Sequence, residues 1–236
     1  MVFIKQLKRG YNDVLNILYP RLCLSCSNVL HDVEYHVCHQ CLSNLHLTNF
    51  DLDGNNPVYN RLSAIVNIEK ATALFVFDKS GIIQELIHKL KYNNHQEIGK
   101  FFAETAFDYL SENNFFDTVD YIIPVPLHSK KQRQRGYNQL IKFGRNLENF
   151  FSIPYNEGIL LRETYTESQT KKNALQRREN VSSAFKIDKP EKYVGKHFVI
   201  VDDVITTGAT IEACAETILN KISDAKVSIL ALTMVF

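Results

Sequence analysis

The stretch FVIVDDVITTGATI, residues 198–211, most strongly constrains the fold that this chain can adopt. Four apolar residues run directly into two carboxylates, Asp202 and Asp203. The short, β-branched run HFVIV is typical of a central parallel strand that is buried on both faces. Ligands of open α/β sheets bind beyond the carboxyl ends of strands, so the pattern predicts a binding site here. Neighbouring strand positions face opposite sides, so both carboxylates point inward only if the strand breaks into a loop at this point.

A loop of hydroxyl-bearing residues follows the acids and leads into a predicted helix: Thr206, Thr207, Gly208, Ala209 and Thr210. Backbone N–H groups at a helix start, together with hydroxyls, form an anion site, and a glycine lets the backbone approach its ligand. The acids favour hydroxyl groups or a metal. A ligand with a phosphate and a vicinal diol, such as ribose 5-phosphate, satisfies both. The alternative is an ordinary strand–turn–helix with capping threonines and surface acids.

Strands alternate with helices from residue 64 onward, which predicts an α/β fold with a mostly parallel sheet flanked by helices. The predicted strands are ATALFVF, TVDYIIPVP, EGILLRE, HFVIV and KVSILALTMVF. Residues 49–63 are rich in Asn, Asp, Gly and Pro, which predicts a linker. Residues 1–48 therefore form a separate N-terminal head, and residues 64–236 form the main domain.

Two cysteine pairs lie in the head with eleven residues between them, and their four thiolates suit a tetrahedral structural zinc: Cys23, Cys26, Cys38 and Cys41. A head this small has little core of its own, so a bound metal would supply folding free energy. A redox-active pair is the alternative. Three nearby histidines could replace a thiolate: His31, His36 and His39. The fifth cysteine, Cys214, is predicted to pack as a small apolar residue on a helix.

A basic run follows the predicted strand YIIPVP. Residues 128–145 contain six Lys or Arg residues and no acid, and the candidate contacts are Lys130, Lys131, Arg133 and Arg135. Such a run suits pyrophosphate, because arginine binds two phosphate oxygens at once. It also suits a nucleic-acid backbone, or it is simply a solvated patch. A second polar and basic stretch, residues 162–185, is typical of a lid or a binding segment.

The net charge of +1 means that any nucleic-acid binding must depend on a local basic patch. No apolar run is long enough for a membrane helix, which predicts no membrane insertion. In residues 1–20 the apolar side chains fall on one helical stripe, and interspersed charges leave no signal-peptide core. We expect that helix to dock on its own protein rather than on a membrane surface, and we expect a cytoplasmic location.

The segment VIVDDVITTGAT resembles the phosphoribosyl-pyrophosphate (PRPP) signature of type I phosphoribosyltransferases. The resemblance implies that Asp202 and Asp203 contact the ribose hydroxyls as the catalytic acids, and that residues 206–210 hold the 5-phosphate. It also implies a type I phosphoribosyltransferase-like sheet and Mg²⁺ bound with PRPP.

Further blocks resemble the ComF family of competence proteins over nearly the whole chain: NILYPRLCLSCS…CHQCL, LIHKLKY, PVPLH…RQRGYNQ and T…SQT…L…RRENV…AF. One departure is Tyr137, where the family usually has phenylalanine. ComF relatives are implicated in handling incoming single-stranded DNA during natural transformation.

Three functions are compatible with this resemblance. The first is a DNA-uptake protein that binds PRPP and single-stranded DNA and works with other uptake proteins. The second is a phosphoribosyltransferase of nucleotide salvage, for which no base-binding element is recognisable. The third is a nonenzymatic regulator that senses PRPP. Whether the chain is an enzyme is left open by its sequence.

Overall fold

The computed structural model describes residues 19–52, 56–79, 81–92, 95–127, 133, 136–162 and 184–235. Three sequence predictions lie outside the described residues: the helix before residue 19, the contacts of Lys130, Lys131 and Arg135, and most of the polar stretch 162–185. In chain order the elements are α1 (His39–Ser43), α2 (Pro57–Ser63), β1 (Ala71–Val76), α3 (Ile82–Tyr92), α4 (Glu97–Leu110), β2 (Tyr121–Pro124), α5 (Ile141–Phe151), β3 (Leu160–Arg162), β4 (Phe185–Ile187), a 3-10 turn (Pro190–Tyr193), β5 (His197–Ile205), α6 (Ala209–Lys221) and β6 (Lys226–Met234).

Four strands form a parallel sheet in the order β1-β6-β5-β2, so the α/β prediction is confirmed. β5 and β6 are the central pair, and their register places Asp202 opposite Ala231. The predicted strand EGILLRE does not join this sheet. Its residues form β3, which pairs antiparallel with β4 in a separate two-stranded sheet.

Each face of the sheet is covered by helices. Val199 and Val201 of β5 pack in a cluster with apolar residues of α3, α4 and α5. Phe198 and Ile200 pack on the opposite face with residues of α2 and α6. This alternation explains why residues 198–201 are apolar at every position, since a strand with helices on both sides has no solvent-facing side.

The predicted linker contains a helix. Residues 57–63 form α2, which begins with Pro57 at its first position after Asn56. The Asn56 side chain accepts a hydrogen bond from the Tyr59 N–H at 2.9 Å, which is a standard helix cap. The same Asn–Pro pair that indicates a loop therefore also starts a helix.

None of the described helices combines the length and the apolar character that crossing a bilayer requires.

Candidate functional site

The acid pair lies inside β5 rather than in the loop after it. The strand continues to Ile205, because pairing with β6 persists at Val204 and Ile205. The two carboxylates consequently differ in their surroundings: Asp203 is buried and Asp202 is partly exposed. The Asp203 backbone N–H donates to Asp202 Oδ1 at 2.8 Å.

Two side chains from distant parts of the chain contact the Asp203 carboxylate. Lys91 Nζ, at the end of α3, lies 2.8 Å from Oδ1. Gln139, just before α5, donates from Nε2 to Oδ2 at 2.5 Å. Asp203 is 6% exposed, and burying a carboxylate without such partners would cost free energy. The structure thus adds Lys91 and Gln139 to the neighbourhood of the acids.

The threonine loop passes directly from β5 into α6. Gly208 is the N-cap of α6 and has a φ of 87°, a backbone conformation that favours glycine. Gly208 itself is buried, whereas the residues around it are exposed: Thr206, Thr207, Ala209 and Thr210. The exposed hydroxyls and the start of a 13-residue helix offer the donors that a phosphate requires.

Helix α2 supports this loop from beneath. Arg61 donates from NH1 to the carbonyls of Thr206 (3.0 Å) and Val235 (2.8 Å). A Cβ on Gly208 would lie 2.9 Å from Leu62 Cδ2 and 3.3 Å from Ile65 Cδ1. The loop therefore rests on α2 and the residue Ile65 just after it, at a position where an added side chain would press on two methyl groups.

Gly208→Ala is expected to lower the free energy of unfolding by about 2–4 kcal/mol, because it combines an unfavourable backbone conformation with overpacking. Gly195→Ala is the matched control: Gly195 has a φ of 71° and no atom within 4 Å of an added Cβ. The control should lose only about 1–2 kcal/mol in urea denaturation. Equal losses in the two variants would contradict the packing argument.

The end of the basic run returns to the sheet near the acids. Arg133 is exposed. The Tyr137 hydroxyl donates to the Leu90 carbonyl of α3 at 2.8 Å. This hydrogen bond satisfies one of the carbonyls in the last turn of a helix, which have no partner within the helix. The departure from the usual phenylalanine therefore adds a contact. The buried Asn138 donates from Nδ2 to the Val125 carbonyl at 3.4 Å.

The four paired cysteines converge in the head, and all four sulfur atoms lie within 4.8 Å of one another. Cys26 Sγ and Cys38 Sγ are 3.7 Å apart. Tetrahedral zinc with Zn–S bonds of about 2.3 Å separates its sulfurs by roughly 3.8 Å, so the donor set fits this metal. Four sulfurs fill a tetrahedron, so such a site would be structural. Among the histidines considered from the sequence, His36 contacts Glu104 of α4 instead, at 2.9 Å.

Three thiols of this cluster have shifted pKa values. A hydrogen bond from the Asn28 backbone lowers the pKa of Cys26, but burial and the neighbouring thiols outweigh it and raise this pKa above its ordinary value. Burial raises the pKa of Cys23, but hydrogen bonds from the backbone of Cys38, Cys26 and Ser25 outweigh it and bring the pKa to about 7. Burial raises the pKa of Cys41 to about 12, with the neighbouring thiols adding to the effect. A bound cation would favour the thiolate form of these sulfurs, which is the form that binds metal.

The head rests on α3 and α4. The Ser25 hydroxyl donates to Glu85 Oε2 at 3.2 Å, and Lys89 Nζ donates to the Leu24 carbonyl at 3.1 Å and to the Ser25 carbonyl. Cys23 and Cys41 belong to the same apolar cluster as the buried residues of α3 and α4. The head is thus packed against the main domain.

The fifth cysteine is remote from this cluster. Cys214 lies fully buried on α6, and burial raises the pKa of its thiol well above the usual value. It packs as the sequence predicts.

Comparison with known proteins agrees with this architecture. The phosphoribosyl transferase domain model matches residues 159–233, which include β5, the threonine loop and α6. DNA utilization protein YhgH of Escherichia coli O157:H7 is 30% identical over 148 residues, 61% of this chain and 64% of that protein. Competence protein F of Haemophilus influenzae is 30% identical over 150 residues, again 61% of this chain and 64% of that protein. Competence protein ComFC of Bacillus subtilis is 23% identical over 210 residues, 88% of this chain and 82% of that protein.

The matches to YhgH and competence protein F thus span just under two thirds of those relatives' length. The matched domain model and the parallel sheet agree on the fold of the main domain. The four-cysteine cluster agrees with the zinc-binding head that the sequence predicts. The chain is therefore similar to competence and DNA utilization proteins, and its main domain has a phosphoribosyltransferase-like fold.

Proposed function

We propose that this chain binds PRPP together with Mg²⁺ and handles single-stranded DNA during DNA uptake, acting in the cytoplasm. The observation that carries the proposal is the succession of a carboxylate pair, an exposed threonine loop and a helix start at one strand end. A ribose bearing a 5-phosphate presents the complementary groups, namely two hydroxyls for the acids and an anion for the loop.

In this proposal Asp202 and Asp203 bind the ribose hydroxyls, and residues 206–210 bind the 5-phosphate. Mg²⁺ would neutralise the diphosphate, and carboxylate oxygens are ligands that suit it. The partly exposed Asp202 is the more accessible of the two acids. The buried Asp203 already accepts hydrogen bonds at both oxygens, so it would receive a ligand hydroxyl in a prearranged orientation.

The role in DNA uptake draws on the relatives, whose names refer to competence and DNA utilization. The basic run at residues 128–145 would contact the phosphate backbone of the strand. Exposed Tyr92, at the end of α3, offers a ring on which a base could stack.

Phosphoribosyl transfer to a base is the second candidate, since the matched domain model is that of phosphoribosyl transferases. In that reaction the two acids would stabilise positive charge developing at the ribose. A nonenzymatic PRPP sensor would bind the same ligand without turnover.

The test is calorimetric titration of Mg²⁺-PRPP into zinc-loaded protein, followed by fluorescence titration of a labelled single-stranded oligonucleotide at several salt concentrations. Binding of both ligands supports the proposal. Pyrophosphate release with any nucleobase would favour the transferase. PRPP binding without DNA binding would favour the sensor. Absence of PRPP binding would refute all three candidate functions, because each of them requires it.

Arg133→Ala is expected to weaken binding of the oligonucleotide and to reduce the slope of log affinity against log salt by about 0.7, the value for one lost phosphate contact on a single strand. Lys221→Ala is the control, because Lys221 is an exposed residue at the opposite end of α6 from the threonine loop. Identical slopes for the Arg133 variant and the wild type would assign Arg133 to the general solvated surface.

A further inference from the structure

Helix α3 ends beside the acid pair, although the sequence gives its residues no role in the site. Lys91 Nζ lies 2.8 Å from Asp203 Oδ1, and the side chains are 20% and 8% exposed. The pair joins residues that are far apart in sequence, from an element outside the matched domain region 159–233. We propose that Lys91 is a further ligand-binding residue, whose ammonium contacts the diphosphate of the bound sugar while it remains beside Asp203. This rests on the proposed function.

The two lysines near the end of α3 serve different neighbours. Lys89 contacts Glu85 and the carbonyls of the head, while Lys91 reaches the acid in β5. Residues two apart on a helix are rotated by about 200° and so face nearly opposite sides. The buried Leu90 between them fixes this rotation by packing in the core, so Lys91 is directed to the site by the helix itself.

Charge gives the first reason for a ligand contact. The acids bring two negative charges to a site for an anionic ligand, and a carboxylate pair alone would repel a diphosphate. Lys91 places a positive charge 2.8 Å from the buried acid, on a side chain that is 20% exposed. An ammonium has three donors on a flexible stem, so it can keep Asp203 as a partner and donate to a phosphate oxygen as well.

Ligand geometry gives the second reason. The 5-phosphate and the 1-diphosphate extend from opposite sides of the ribose ring. With the 5-phosphate on residues 206–210 and the hydroxyls on the acids, the diphosphate must extend away from the threonine loop. Lys91 and Gln139 approach Asp203 from α3 and from the start of α5, not from that loop. The end of the basic run lies beside them, since Tyr137 bonds to the carbonyl of Leu90.

The experiment compares Mg²⁺-PRPP with ribose 5-phosphate, which lacks the diphosphate, by calorimetry on full-length, zinc-loaded protein. In Lys91→Met the affinity for PRPP should fall about tenfold or more, the scale of a lost hydrogen bond to a charged group. The affinity for ribose 5-phosphate should change less than about threefold. Lys221→Met is the control for loss of a distant lysine. Its affinities for PRPP and for ribose 5-phosphate should both match those of the wild type.

Removing Lys91 alone leaves the buried Asp203 without its cation, so Lys91→Met can lose stability. The double variant Lys91→Met/Asp203→Asn removes both charges and avoids this. Compared with Asp203→Asn alone, the double variant should lose a further tenfold or so in PRPP affinity and little in ribose 5-phosphate affinity.

Each alternative result has a distinct meaning. Equal losses for both ligands would show that Lys91 acts only by orienting Asp203, which overturns the diphosphate contact. Unchanged PRPP affinity in a folded variant would exclude Lys91 from the site while leaving the proposed function intact. If the wild type binds neither ligand, the proposed function fails and this inference fails with it.

Discussion

Cys38→Ser is expected to abolish zinc binding and to lower the melting temperature of the whole chain. Cys38 is buried, its sulfur lies 3.7 Å from that of Cys26, and its N–H donates to Cys23 Sγ at 3.3 Å. A serine hydroxyl is shorter than a thiol and does not ionise near neutral pH, so the variant offers three ligands instead of four. Structural zinc contributes roughly 10–16 kcal/mol to folding of small domains, which makes this the largest effect we expect.

Loss of the metal should reach the main domain, because the head covers α3 and α4. Cys23, Leu30, Val37 and Cys41 belong to one apolar cluster with the buried residues of these helices. If unfolding of the head removes about 3 kcal/mol of this packing, the melting temperature should fall by roughly 6–12 °C for a chain of this size.

Elemental analysis of purified protein and thermal unfolding with and without a chelator provide the measurement. Cys214→Ala is the matched control, since Cys214 is buried on α6 away from the cluster, and that variant should keep its full zinc content. Full zinc content in Cys38→Ser would contradict a four-thiolate site and would point to a histidine such as His39 as a replacement ligand.

Asp203→Asn is expected to weaken Mg²⁺-PRPP binding about 10- to 100-fold while leaving the fold intact. A hydrogen bond from a ligand hydroxyl to a charged carboxylate contributes about 1.5–3 kcal/mol, and the amide removes the charge. The new oxygen can still accept from Lys91 Nζ. The new amide nitrogen would face Gln139 Nε2, but rotation of the Gln139 amide presents its oxygen instead. The substitution thus tests charge rather than shape.

The measurement is calorimetry beside urea denaturation. Asp117→Asn is the control, since Asp117 is an exposed acid that precedes β2 and so lies toward the amino ends of the strands, away from the site. An affinity equal to that of the wild type would remove Asp203 from the ribose contact. A variant that unfolds would instead make the buried ion pair with Lys91 a structural requirement of the fold.

The elements of the main domain could be predicted largely because each has a local signal. The apolar β-branched run of β5, the glycine at the start of α6 and the pairwise cysteine spacing are all visible in short windows of sequence. The partner of β3 could not be predicted, because its pairing with β4 joins residues on either side of a long polar stretch. The helix at residues 57–63 was obscured by residue types that favour loops and helix starts alike.

The candidate site was predictable only where it is contiguous. Asp202, Asp203 and the threonine loop occupy nine consecutive positions, so their arrangement follows from one strand–turn–helix unit. Lys91 and Gln139 reach Asp203 through the packing of α3 and α5 on the sheet, and no local pattern encodes that contact. The extension of β5 past both acids depends on its pairing with β6, which is also a long-range property.

The position of β6 has a consequence for the order in which the protein folds. Within the described main sheet β1 pairs with β6 and with no other strand, so Ala71 finds its partner only at Ile229. The entropic cost of closing so long a loop must be offset before this pairing contributes to stability. β6 also holds β5 in register beside the acids. We therefore expect the sheet to assemble late, with the acid pair among the last features to reach its final geometry.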